Sequence, residues 1–186
     1  MVTRTKLPDT ASVANSQGGG RLFSPSAERN STPIINLIKR FAPPTGKALE
    51  IASGTGQHIV QLALSLPNLS WLPSEVEENR LKSITAWIKN ENLLNIKPPL
   101  YLDATETGWS KTVLQSDFIL LVNLLHLISL NETETLIDEL SKALKKRELL
   151  SFMAPLCATV SLPVKAIKIS ITACHRPTQI LVIKTI

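Results

Sequence analysis

Two hydrophobic periods alternate along this chain. Between residues 47 and 145, short apolar runs take turns with segments whose apolar residues recur every three or four positions. The runs KALEIAS (47–53), LSWLPSE (69–75), PLYLDAT (99–105) and DFILLVNLLHLI (117–128) read as strands. The second is interrupted by Pro73, and the fourth is continuous enough for a central strand buried on both faces. The helical segments are GQHIVQLALSLP, closed by Pro67, then ENRLKSITAWIKNENL, with Leu81, Ile84, Trp87 and Ile88 along one side. A third, NETETLIDELSKALK, carries Asn131 as its cap and Glu134 at the capping-box position. Before them, Ile34, Ile35, Leu37, Ile38 and Phe41 mark a helix with Pro33 near its start and Pro43-Pro44 beyond its end. Strands alternating with helices predict an α/β domain around a parallel sheet, doubly wound with right-handed crossovers.

The ends of the chain differ from this body. Residues 1–21 read as a flexible polar arm containing Gly18-Gly19-Gly20, without the apolar stretch of a secretion signal. No apolar run approaches the roughly 20 residues that cross a bilayer, so no membrane partner and a cytoplasmic location are expected. The net charge of +5 invites a nucleic-acid reading. Its distribution does not support one: residues 147–186 carry +4 and residues 1–146 only +1. Cys157 and Cys174 also lie in the tail, leaving the body no disulfide or metal motif.

The chemistry concentrates in ALEIASGTGQH, where a strand ends in Glu50 and turns through Gly54 and Gly56 into a helix. Ligands of such sheets bind beyond the carboxyl ends of the strands. A phosphate loop would end Gly-Lys-Ser/Thr, but Gln57-His58 follow Gly56. A dinucleotide fingerprint needs a third glycine where Ile59 stands. An S-adenosylmethionine loop needs only an acidic residue near the strand end and G-x-G. Glu75 and Asp103 then close the second and third strands, suited to ribose hydroxyls and the adenine amine. The plain alternative is a tight turn with strand-end carboxylates that serve as caps.

SPSAERN, LEIASGTGQH, WLPSE, AWIKNENLLNIKPPLYLDAT and VNLLHLI together resemble the methyltransferase-like protein 26 family, from about Leu22 to Lys146. The resemblance implies a Rossmann-like class I methyltransferase fold of seven strands and S-adenosylmethionine as ligand, with no substrate identified. By position it makes Glu50, Gly54, Gly56, Glu75 and Asp103 cofactor-facing. It sets Glu28, Arg29 and Asn30 beside the cofactor or substrate, although a helix-start cap with solvated charges fits them as well. Asn123 and His126, after the fourth strand, become candidates for positioning the methyl acceptor or taking its proton. His58 reads as an orienting or packing residue. The expected function is methyl transfer to an unknown acceptor; the alternative is a non-catalytic cofactor-binding or interaction protein.

After Lys146 the resemblance ends where the family continues with a fifth strand and a Tyr-Gly-Pro-Phe segment. Permitted codons for Phe152 to Ser170, read one base earlier, restore Tyr-Gly-Pro-Phe-Met-Arg-Asp-Gly-Glu-Leu. A frame slip near Lys145-Lys146 would account for the whole tail, leaving Cys157, Cys174 and His175 without meaning. The fold would then be incomplete, with the edge of strand 118–125 unpaired and the chain inactive and unable to bind cofactor. One escape is that Leu149–Met153 or Gln179–Ile186 pairs there instead.

Overall fold

The computed structural model describes residues 13–145 and, beyond them, the backbone of residues 150–153, 170–171 and 180–184. A hairpin of β1 (Asn15–Ser16) and β2 (Leu22–Phe23) leads into α1 (Pro25–Phe41). Then β3 (Gly46–Ile51), α2 (Gln57–Ser65), β4 (Leu69–Glu75), α3 (Glu78–Glu91), β5 (Leu100–Tyr101), β6 (Phe118–Val122) and α4 (Leu130–Ala143) alternate as the two periods predict. Three short strands follow: β7 (Leu150–Met153), β8 (Ser170–Ile171) and β9 (Ile180–Lys184). The main sheet runs β5-β4-β3-β6-β9-β7-β8. β3 lies parallel between β4 and β6, so its end is the centre of the carboxyl edge.

β6 is buried at every position because both faces of the sheet are covered. Phe118 and Leu120 face α1, α2 and α3 with Ile34, Ile38, Ile59, Leu62 and Trp71. Ile119 and Leu121 face α4 with Leu136, Ile137 and Leu140. Ala48 pairs with Trp71 on one side and Phe118 on the other. Its single methyl leaves room for those rings to meet edge-on, 6.1 Å between centroids. Pro73 is tolerated within β4. Trp71 exchanges backbone bonds with Asn95 and Lys97, so by alternation Pro73 turns its missing N–H to the same side, where Pro98-Pro99 interrupt the neighbour.

Several boundaries differ from those expected. α1 begins at Pro25, well before Pro33, with Ser24 as cap and Pro25 in the first turn. Pro33 lies inside the helix on its exposed side, where water can take the carbonyl it leaves unpaired. The cap of α4 is Ser129, not Asn131, and its box partner is Glu132, not Glu134. β5 is only two residues long, since Asp103 Oδ1 accepts from Thr105 N at 2.9 Å and turns the chain. β6 stops at Val122 because Asn123 takes a left-handed φ of 56° and leads into a short 3-10 turn, Leu125–Leu127.

The far edge of β6 is paired. β9 runs antiparallel to it, Phe118 opposite Lys184 and Val122 opposite Ile180, and β7 pairs with β9 from the other side. The resemblance implied a fifth strand beside the fourth, and the last segment of the chain takes that place. Its ILVIK composition suits a ladder that would otherwise leave backbone groups unsatisfied. Cys157, Cys174 and His175 lie outside the described residues, as do residues 1–12. No helix among the described residues is long and apolar enough to cross a membrane.

Candidate functional site

Glu50 and Glu75 stand at the ends of β3 and β4 and Asp103 just beyond β5, and the loop leaving β3 is bonded across to β4 and Glu75. That loop is wound through left-handed residues: Ala52 (φ 53°), Gly54 (60°) and Gly56 (93°). Ser53 N donates to Ser74 O at 2.8 Å, anchoring the loop to β4. Gly54 N points at the Glu75 carboxylate, 2.9 Å from Oε2. The two glycines are there for different reasons. A Cβ on Gly56 would lie 3.0 Å from Ile84 Cα, so this glycine admits the close approach of α3. A Cβ on Gly54 would meet only the Arg80 guanidinium, at 3.4 Å. Of the pair, Gly54 alone borders the cleft.

Glu75 is almost wholly buried, and burial raises its pKa. Opposing that, Oε1 accepts from Val76 N at 2.8 Å and Oε2 from Gly54 N, while the Arg80 charge lies nearby. Oε1 also accepts from Glu77 N at 3.4 Å, so lone-pair capacity for a further donor is left on Oε2. Glu50 is 2% exposed, and its Oε2 has no partner among the described residues. Burial pushes its pKa up to about 7, the Ser53 hydroxyl opposing and the Glu75 charge adding. Asp103 is buried beside the loop after β5, its Oδ1 held by Thr105 N and Oγ1.

The cleft above these groups has two halves that share Ala52, Glu75, Leu124 and Leu127. One, about 410 Å³, is walled by Val76, Leu102, Ala104 and Ile128, with Asp103 at its margin. The other, about 620 Å³, carries most of the polar side chains, Ser24, Ser26, Thr55, His58, Arg80 and Asn123, and both volumes include space open to solvent. A flat apolar group with one polar edge suits the first half, and a charged or hydroxylated chain the second.

Of the residues expected from sequence, Gly54, Glu75, Asp103 and Asn123 border this cleft. Glu50 and Gly56 line neither half. Glu28 and Arg29 are exposed on α1, and Asn30 is bonded to His58. His126 is exposed in the turn after β6 and lines neither half. Among the described residues no group of three His, Cys, Asp or Glu could hold a metal. Sequence reasoning passed over Ser24, Ser26 and Arg80. Ser24-Pro25 carried a helix-start signal that would have brought α1 to the cleft, whereas nothing in ENR distinguishes Arg80 from a solvated charge.

A family model described as "Protein of unknown function (DUF938)" matches residues 21–160. Among solved structures, a coclaurine N-methyltransferase bound to N-methylheliamine and SAH superposes with TM-score 0.53 at 17% identity, over 77% of this chain and 40% of that one. The mitomycin 7-O-methyltransferase gives 0.63 at 13%, over 86% and 55%. An O-methyltransferase family protein from Burkholderia thailandensis gives 0.56 at 13%, over 70% and 40%. The chain thus spans about half or less of the length of these structures. What it shares with them is the fold: a Rossmann-like α/β domain of the class I methyltransferase type.

Proposed function

The chain belongs to the DUF938 family of proteins of unknown function, and from the geometry of its cleft we propose that it is an S-adenosylmethionine-dependent methyltransferase-like protein. The observation that carries this is the pairing of an apolar half-cleft edged by Asp103 with a polar half over Glu75 and Glu50. The coclaurine N-methyltransferase, which shares the fold, is bound to SAH. The resemblance to methyltransferase-like protein 26 points the same way.

The residues present fit the ligand. Val76, Leu102 and Ile128 would shield an adenine ring from water, and Asp103 at the margin would accept from its amine. The open lone pair of Glu75 Oε2 would accept a ribose hydroxyl, and the orphaned Glu50 Oε2 would supply negative charge toward the ammonium of the amino-acid end. S-adenosylmethionine supplies a sulfonium methyl group to a nucleophile; the protein's part is proximity and a dry cleft. Asn123 borders the polar half at the end of β6, where it can orient an acceptor. The exposure of His126 favours a second reading, a cofactor-binding or interaction protein that transfers nothing. Saturable binding of S-adenosylhomocysteine tests the cofactor, and a methylated product separates the two readings.

We also propose that the tail after about Lys146 is read out of frame and that the chain as it stands does not turn over, since acceptor-side elements would lie there. The sequence alone leads to the expectation that the altered tail abolishes cofactor binding. Because every cofactor-facing residue named lies between Ser24 and Ile128 and β6 is paired on both sides, we propose instead that this chain binds the cofactor. Genomic DNA around Lys145-Lys146 should show an adenine-rich run whose correction by one base restores Tyr-Gly-Pro-Phe. An uninterrupted frame, with the same tail in near relatives, would refute the slip.

A further inference from the structure

The first turn of α1 is a wall of the polar half-cleft, through Ser24, Ser26 and Ala27, and two consecutive side chains at the start of α2 hold it there. Gln57, buried, accepts from Ser24 N at 2.6 Å and Thr55 Oγ1 at 2.9 Å through one oxygen, and its amide donates to Glu28 Oε2 at 3.5 Å. His58 Nε2 lies 2.8 Å from Asn30 Oδ1 and 3.2 Å from Ala27 O. A carbonyl oxygen only accepts, so Nε2 carries the proton and the ring is held in one tautomer. Burial lowers the His58 pKa to about 4, so the ring stays neutral at ordinary pH. Upstream, Leu22 N donates to Ser83 Oγ at 2.8 Å, and that hydroxyl donates to Thr55 O at 2.7 Å. The wall is therefore stitched to the glycine loop from both ends.

We propose that His58, oriented by Asn30, and Gln57 are positioning residues that set the gap between the first turn of α1 and the glycine loop, and so the fit of the ligand's amino-acid end. This gives Glu28 and Asn30 a role without contact to ligand: they are the α1 side of the latch, while Arg29 is exposed. The latch needs a donor at the His58 Nε2 position, not an ionisable ring. Gln can place an amide there; Phe fills the space and donates nothing, leaving Asn30 Oδ1 and Ala27 O without that donor.

The ligand arm of the test rests on the cofactor reading above; the exchange arm does not. In the full 186-residue chain, His58→Phe should weaken S-adenosylhomocysteine binding about tenfold or more, and His58→Gln should stay within about threefold of the parent. Amides at Ala27 to Asn30 should exchange faster in His58→Phe, with those of β3 and β6 unchanged, and His58→Gln should restore them. Unchanged exchange in His58→Phe, or equal loss of protection in Phe and Gln variants, overturns the latch. If the parent binds no S-adenosylhomocysteine, the cofactor reading fails, and the exchange pattern alone decides the latch.

Discussion

Replacing Glu50 by Gln is expected to stabilise the free protein above pH 7 relative to the parent, and to cost it the cofactor. Burial holds the Glu50 pKa near 7 against an ordinary 4.5, so the fold accommodates the protonated form better than the carboxylate. Stability from this group is fully present below pH 4.5 and is lost as pH rises to about 7; above that the cost is constant, about 3 kcal/mol. His58 has the opposite slope. With its pKa lowered from 6.5 to about 4, its contribution is present above pH 6.5 and is lost as pH falls toward 4. The two oppose each other between pH 4.5 and 6.5, so the parent is flat there with respect to this pair. Glu50→Gln removes one slope and unmasks the other. Urea melts from pH 4 to 8 should show the difference between variant and parent growing by about 3 kcal/mol toward pH 8. The amide's own desolvation shifts that curve without bending it. A difference independent of pH would mean that Glu50 titrates alike in the folded and unfolded chains. Without the carboxylate, S-adenosylhomocysteine should raise the variant's melting temperature far less than the parent's at pH 8.

Gly56→Val should unfold the glycine loop from α3 before it affects any ligand contact. Valine at φ 93° is outside the conformations that β-branched side chains adopt, a cost of roughly 1–2 kcal/mol. Its Cβ would also lie 3.0 Å from Ile84 Cα and 3.2 Å from Ile84 Cγ1. Ile84 is fully buried, and the adjacent Ser83 is bonded to Thr55 O, so α3 cannot yield without pulling the loop. Overpacking of this kind costs about 1–3 kcal/mol, and the sum is a large share of a typical 5–15 kcal/mol stability. Gly54→Ala is the contrast: it carries the strain of a left-handed φ of 60° without β-branching, and its Cβ meets only the end of the flexible Arg80 side chain. Denaturant midpoints should fall much further for Gly56→Val than for Gly54→Ala. Equal midpoints would return Gly56 to the role the sequence suggested, a glycine that clears space for ligand.

The order of elements was legible because β3, β4 and β6 are apolar runs between helices whose apolar residues cluster on one side. The three strand-end carboxylates were legible because each closes such a run. What escaped has physical causes. Pro33 reads as a helix start, yet its exposed position lets the helix run through it. Ser129-x-x-Glu132 and Asn131-x-x-Glu134 are equivalent capping boxes in sequence; packing of Leu136, Ile137 and Leu140 on the sheet chooses the first. The left-handed backbone of Ala52 has no sequence signal, since alanine rarely adopts it. The division of labour between Gly54 and Gly56 depends on where α3 crosses the loop, which no local pattern records. The expectation of an unpaired β6 edge rested on the missing fifth strand; its exception, pairing by Gln179–Ile186, is what the structure shows, with β9 antiparallel to β6.

The most direct test of the central claim is a calorimetric titration of S-adenosylhomocysteine into the 186-residue chain at pH 8, with NAD as the control. Saturable binding of one ligand per chain, lost in a Glu75→Ala, Asp103→Ala double variant that still melts cooperatively, is the result the account predicts. Binding of NAD in preference to S-adenosylhomocysteine, or equal binding by the double variant, would contradict it.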